Sequence, residues 1–165
     1  KPYLRLIVFL QKYILMNFNK LKPKISSLVS NSNVLDETLQ AICDLLKVSV
    51  CHYDWVGFYF RNGEKKELKI GPYAGAHTDH TIIPFGKGIC GQVAVSNENF
   101  VVADVNSQDN YIACSINVKS EIVVPLFVNN KNVGQIDIDS NTIDPFTQAD
   151  ERFLEFVCRS VATLM

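Results

Sequence analysis

Two cysteines of this 165-residue chain have neighbours that favour thiol chemistry. Cys90 follows a glycine-rich turn at residues 86–88, and Cys114 lies between two strand-like segments, seven residues before Glu121. A reactive thiol needs some exposure and a lowered pKa, and a helix that begins near Cys90 would lower the pKa of its thiol. Because both cysteines fall in predicted loops, we favour reactivity over the alternative, in which each is a small buried hydrophobic residue.

Three acidic residues fall on the last two predicted strands. Asp137 and Asp139 point to one face of their strand because side chains alternate along it. A three-residue hairpin loop at 129–131, which we predict, places Glu121 opposite Asp139, whereas a two-residue loop would shift the pairing by one residue. Such a cluster suits a site that holds an ammonium group and donates a proton. An exposed acidic sheet face is the alternative, which the apolar flanking residues disfavour.

Trp55 and Tyr59 flank Gly57 on one face of the first predicted strand. Two aromatic side chains with a glycine between them form a walled notch, which can hold a small apolar group or a cation. Ordinary core aromatics are an equally good interpretation of this pattern.

The composition is that of one ordinary globular domain. Hydrophobic residues make up 47% and the formal net charge is -1, so no global field would recruit nucleic acid or an anionic membrane. The longest apolar run near the N-terminus, residues 6–10, is too short to cross a membrane. Five cysteines, an odd number without a C-x-x-C pair, predict reduced thiols in the cytoplasm and no metal site.

Hydrophobic periodicity predicts the order helices, two strands, short helix, three strands and helix. This order indicates an α+β fold with a mainly antiparallel central sheet of about five to six strands and helices packed on one side. We expect residues 1–30 to form an N-terminal helical extension and residues 31–165 to form the main domain. The apolar face of the extension predicts a homodimer.

Three local signals set the expected helix boundaries. Pro23 should divide the first helical region into two pieces. Ser32 and Asn33 offer an N-cap to the next helix. Thr147, with Asp150 three residues later, resembles a capping box at the start of the last helix.

Five motifs occur in one order between residues 55 and 140. They are Trp55-Val-Gly-Phe-Tyr59, Pro84-Phe-Gly-Lys-Gly-Ile-Cys-Gly91, Ile112-Ala-Cys114, Ser120-Glu-Ile-Val-Val-Pro125 and Gly134-Gln-Ile-Asp-Ile-Asp-Ser140. On these motifs the chain resembles the free methionine-(R)-sulfoxide reductases, which are single GAF domains. The resemblance covers about residues 34–165 and implies a GAF-like fold.

The resemblance implies thiol-dependent reduction of free methionine-(R)-sulfoxide. In this family a thiolate attacks the sulfoxide sulfur, a sulfenic acid remains, and a second cysteine closes a disulfide that thioredoxin reduces, without a bound cofactor. Cys114 matches the attacking thiol and Cys90 the resolving one, and the reverse assignment stays open. Many members have a third cysteine at the position of His80, which we expect here to be a solvated loop histidine.

The resemblance also implies a set of substrate contacts. The acids would hold the ammonium and sulfoxide ends of the substrate, and the aromatic residues would surround its methyl group. The implied residues are Trp55, Tyr59, Glu121, Asp137 and Asp139. The alternative function is a non-catalytic GAF sensor or binding module for a small ligand, to which the Asn-Lys pair at 130–131 gives a loose similarity.

Overall fold

The computed structural model describes residues 2–112 and 115–165. Cys114 and its prediction as the attacking thiol therefore lie outside the described residues. The helices and strands are α1 (Pro2–Ser30), α2 (Leu35–Ser49), β1 (Trp55–Arg61), β2 (Glu67–Ala74), β3 (Ile82–Pro84), α3 (Gly88–Ser96), β4 (Phe100–Val102), β5 (Ser120–Val128), β6 (Lys131–Ser140) and α4 (Gln148–Ala162), with a short 3-10 turn at Val105–Ser107.

The strands form one six-stranded sheet in the order β3-β2-β1-β6-β5-β4, and every neighbouring pair is antiparallel. This confirms the predicted α+β fold. The alternation of strand side chains divides the core in two. Val56, Ile122 and Ile138 belong to the layer under α1, α2 and α4, whereas Trp55 and Val123 belong to the layer under α3. The helices on one side are thus α1, α2 and α4, and α3 covers the opposite face.

The β5–β6 hairpin has a two-residue turn, so the predicted three-residue loop is wrong. Asn129 and Asn130 both have positive φ, 50° and 62°, as tight hairpin turns require. A shift of register between Leu126 and Phe127 then adds one residue to β6. This bulge compensates for the shorter turn, and Glu121 does lie opposite Asp139 as predicted.

The predicted break at Pro23 does not occur, since α1 continues through it. A proline inside a helix removes one backbone hydrogen bond, but this part of α1 packs on the domain core. Phe18 and Ile25 are buried, and the Phe18 ring stacks on Phe153 at 4.3 Å between centroids. Burial of these side chains offsets the cost of the proline.

The predicted caps have different outcomes. The N-cap of α2 is Val34, without a side-chain hydrogen bond, because Ser32 Oγ instead accepts from Thr38 Oγ1 at 2.7 Å. The capping box of α4 is confirmed, with the Thr147 N–H donating to Asp150 Oδ2 at 2.8 Å. Over the part of the chain that the structure describes, no helix combines the length and apolar character that a membrane crossing requires.

Candidate active site

Strand pairing brings the three predicted acids onto one face of the sheet. Glu121 on β5 pairs with Asp139 on β6, which pairs in turn with Trp55 on β1. Asp137 pairs with Gly57 and shares the face of Asp139 because the two are separated by one residue. The exposed fractions of Glu121, Asp137 and Asp139 are 4%, 1% and 1%. The exposed acidic face that was the alternative interpretation is therefore excluded.

Burial raises the pKa values of these three acids. Burial raises the pKa of Asp137 to about 7, although hydrogen bonds from Cys90 and Glu121 act in the opposite direction. The pKa of Glu121 is also raised well above its usual range, by burial and then by the charges of Asp137 and Asp139. Burial and the Asp137 charge also raise the pKa of Asp139. The raised pKa of Glu121 favours its protonated form, which can donate a proton, and Asp137 titrates near pH 7.

Two carboxylate oxygens of the cluster have unused hydrogen-bonding capacity. Asp137 Oδ1 and Asp139 Oδ1 are buried and have no hydrogen-bond partner among the described residues. Such atoms are uncommon in folded proteins because their desolvation is not compensated. The cluster is therefore suited to a cationic or hydrogen-bond-donating ligand.

Cys90 lies in the first turn of α3, which confirms the helix predicted to begin near it, so the thiol does not belong to a loop. Its side chain is buried, with 4% exposed, and Sγ lies 3.9 Å from Glu121 Oε1. Gly91 allows this turn of α3 to lie against the end of β3, since a Cβ on residue 91 would be 2.5 Å from the Pro84 carbonyl oxygen. Gln135 on β6 also stabilises this turn, because its Nε2 donates a hydrogen bond to the Cys90 carbonyl at 3.2 Å.

Asn110 joins the segment before Cys114 to the start of α3. Its Oδ1 accepts from the Gly88 N–H at 3.0 Å, and its Nδ2 donates to the Gly86 carbonyl at 2.8 Å. Gly88 has φ of 61°, and a Cβ there would meet the Ile112 side chain at 3.0 Å. These contacts hold the segment against α3 up to residue 112.

The aromatic wall forms, but the space above Gly57 is occupied. Trp55 stacks on Tyr73 with 5.3 Å between ring centroids and lies 6.3 Å from Tyr59. A Cβ on residue 57 would be 2.2 Å from Trp55 Cη2, so the indole itself covers the glycine. Tyr59 donates its hydroxyl proton to the His80 carbonyl at 2.9 Å. The predicted notch is therefore an aromatic wall.

Two small cavities are lined by residues of the aromatic wall or of the acidic triad. One, of about 100 Å³, is lined by Trp55, Asp139 and further residues. The other, of about 10 Å³, is lined by Cys90, Glu121, Asp137 and His80, among others. His80 lies in a loop as expected, but it is half-buried and not fully solvated.

Sequence reasoning missed two residues of this region, Gln135 and Asn110. Gln135 lies two residues before Asp137 and four before Asp139 on β6, so the same period-two argument could have placed it on this face. Asn110 comes from a connecting segment without a regular period, and no comparable signal marks it.

One group of side chains has the composition of a metal site. Ligand atoms of Cys90, Glu121 and Asp137 all lie within 4.8 Å of one another. All three residues are buried. The arrangement is thus able to bind a cation, protonate a ligand atom and present a thiol within one pocket.

Comparison with known proteins shows the family of this chain. The family model of the GAF domain matches residues 33–165. A free methionine-R-sulfoxide reductase of Saccharomyces cerevisiae is 34% identical over 157 residues, covering 88% of this chain and 87% of that protein. The chain belongs to the free methionine-(R)-sulfoxide reductase family.

Two further relatives of this family support the membership. A free methionine-R-sulfoxide reductase of Escherichia coli is 38% identical over 117 residues, which is 71% of this chain and 69% of that protein. The crystal structure of the free methionine-R-sulfoxide reductase from Neisseria meningitidis, in complex with its substrate, superposes with a TM-score of 0.84 at 33% identity. It covers 88% of this chain and 86% of that chain. Both the sequence and the fold of the family thus extend over most of the molecule.

Proposed function

We propose that this protein reduces free methionine-(R)-sulfoxide to methionine with a cysteine thiol as reductant. The observation that carries the proposal is the buried triad Glu121, Asp137 and Asp139 beside the Cys90 thiol. Its two unpartnered oxygens suit the ammonium group of a small substrate, and Glu121 suits proton donation. Family membership supports the same chemistry.

The substrate would lie along the acidic face with its two ends in different cavities. We place its ammonium group against Asp139, in the larger cavity beside Trp55. Its sulfoxide group then points to Glu121 and Cys90, in the smaller cavity. An ammonium group supplies donors for a carboxylate oxygen that lacks a partner, and these charge-assisted bonds are the strong ones.

The chemical step is a two-electron transfer from sulfur to sulfur. A thiolate attacks the sulfoxide sulfur and Glu121 protonates the oxygen. The protonated oxygen then passes to the attacking sulfur, so that the cysteine becomes a sulfenic acid and methionine leaves. The second thiol attacks this sulfenic sulfur, so that a disulfide forms and water is released. Cys114 is proposed as the attacker and Cys90 as the resolving thiol, because their motifs match these roles in the family. The reverse order is the alternative.

The cycle needs an external dithiol but no bound cofactor. We propose thioredoxin, since exchange with its two thiols returns both cysteines to the reduced state. A reducing compartment such as the cytoplasm fits Cys43 and Cys158, which are both buried as thiols in the core. We also propose a homodimer through α1, where Leu6 and Ile7 are more than half exposed at 54% and 51%.

The alternative of a nucleotide-sensing GAF module is not favoured. Asn130, part of its sequence cue, forms the tight β5–β6 turn with φ of 62°. Lys131, the other residue of the cue, begins β6 and pairs with Val128 on β5. Both residues thus serve local structure.

The test is turnover of each separate methionine sulfoxide epimer, with dithiothreitol and then with thioredoxin and its reductase. We expect loss of the R epimer alone, abolished by Cys114→Ser and retained by Cys51→Ser, which changes an exposed thiol outside the site. Without reductant, the variant that keeps the attacking thiol should still release one equivalent of methionine. Failure to consume either epimer would refute the proposal.

A further inference from the structure

The thiol of Cys90 and the carboxylates of Glu121 and Asp137 form a compact set of metal-ligating atoms. One atom of each lies within 4.8 Å of the other two. A tetrahedral zinc ion holds a sulfur and an oxygen ligand roughly 3.5 Å apart. The distance of 3.9 Å between Cys90 Sγ and Glu121 Oε1 is close to this spacing, so only a small adjustment would be needed.

Space for an ion exists at the same place. The cavity of about 10 Å³ is lined by all three residues and by His80, and this volume accommodates one water-sized particle. Thiolate, imidazole and carboxylate are the ligands that zinc uses in proteins. Cys90, Glu121 and Asp137 therefore offer three ligand atoms close enough together to bind one ion. His80 is a fourth lining residue of a suitable type.

Asp137 provides an independent observation that points to a ligand. Its side chain is 1% exposed, and Oδ1 has no hydrogen-bond partner within residues 2–112 and 115–165. Burying such an oxygen is costly, and a second carboxylate at Glu121 adds repulsion when both are ionised. A divalent cation between the two carboxylates removes both costs.

We propose that the reduced, substrate-free site binds one soft divalent cation, Zn²⁺, through Cys90, Glu121 and Asp137, with His80 as the fourth ligand. A thiolate ligand favours zinc over magnesium or calcium. The cation would occupy two of the substrate-binding acids and one thiol, so it would be a reversible inhibitor and would protect the thiol from oxidation. This consequence rests on the proposed function, whereas the metal site does not.

Cobalt(II) is the probe, because a thiolate–cobalt bond produces an intense near-ultraviolet charge-transfer band. The full chain is reduced, separated from reductant without oxygen, and titrated with Co²⁺ and then with Zn²⁺. We expect the band to saturate at one equivalent and to vanish when zinc displaces cobalt. Cys90→Ser should abolish it. Asp137→Asn and Glu121→Gln should weaken cobalt binding at least about tenfold, since even outer-shell partners contribute that much.

Matched variants separate this site from other ligands on the protein. Cys51→Ser removes an exposed thiol and His77→Ala removes an exposed imidazole beside Asp79. Both should leave the cobalt affinity unchanged, whereas His80→Ala should lower it. A band that is absent from the native protein, or that survives Cys90→Ser, would overturn the site, and an unchanged affinity in His80→Ala would overturn the fourth ligand.

Substrate competition links the metal site to the reaction. Free methionine-(R)-sulfoxide should lower the apparent affinity for cobalt, and Zn²⁺ should slow alkylation of Cys90. Turnover without a cobalt band would refute the metal inference alone. A band that depends on Cys90, in a protein without turnover, would refute the proposed function alone.

Discussion

Asn110 is expected to set the rate of disulfide formation without touching the substrate. It lies four positions before Cys114, and its side chain bonds Gly86 and Gly88 at the start of the helix that carries Cys90. We expect Asn110→Ala to leave the first release of methionine intact and to slow closure of the disulfide. Steady-state turnover should fall only if closure then limits the cycle.

The magnitude follows from the two hydrogen bonds that are lost. Each contributes about 1 kcal/mol net. Asn110 itself is exposed, so water replaces part of the loss, but the buried N–H of Gly88 would lose its partner. A combined loss of about 1–2 kcal/mol corresponds to a roughly 5–30-fold lower population of the arrangement in which this segment is held against the start of α3. We expect a decrease of the same size in the rate of disulfide formation.

The rate is measured by mixing reduced enzyme with one equivalent of sulfoxide and quenching with a maleimide of high mass. The number of labels on a gel counts the thiols that are still free, and disulfide formation lowers this number. Asn106→Ala is the control, because Asn106 lies in the same connection and its side chain bonds to nearby Asp104 and not to α3 in the part of the chain that the structure describes. Closure at the native rate in Asn110→Ala, with an unchanged melting temperature, would refute the positioning role. Equal slowing in Asn106→Ala would indicate a general loosening of the segment instead.

Three further predictions concern the aromatic wall, the acids and the core. Gly57→Ala should raise KM and lower the free energy of unfolding by about 1–3 kcal/mol, because its Cβ would displace the Trp55 indole; native KM and stability would contradict this. Asp139→Asn should raise KM for the free sulfoxide about tenfold or more, the loss expected for one charge-assisted bond; a change in kcat alone would argue against ammonium binding there. Burial raises the pKa of Asp150, but hydrogen bonds and the charge of His52 outweigh it and lower the pKa overall. This carboxylate thus stabilises the fold above its unfolded pKa and less so as pH falls below about 4. The stability difference between the native protein and Asp150→Asn in urea should therefore shrink with acidification, and a constant difference would contradict the linkage.

The faces of the secondary-structure elements could be predicted from the sequence because they depend on local periodicity. A period of two placed Asp137 and Asp139 together, and a capping box marked the start of α4 at Thr147. The order of strands and helices followed from the same patterns, as did the α+β fold. Five motifs in one order carried the resemblance to the family, to which the comparisons assign the chain.

Contacts between distant segments were decided only by the tertiary structure, because they depend on packing that no local pattern encodes. Glu121 meets Asp139 through a two-residue turn and a compensating bulge, a pair of features that cancel in the register. The continuous helix through Pro23 depends on burial of α1 against the core. The half-buried position of His80 and the depth of Cys90 depend in the same way on how the connections and α3 close over the sheet. The types of the candidate site residues were thus evident from the sequence, whereas their burial and pKa values, on which the proposed chemistry depends, follow from the packing.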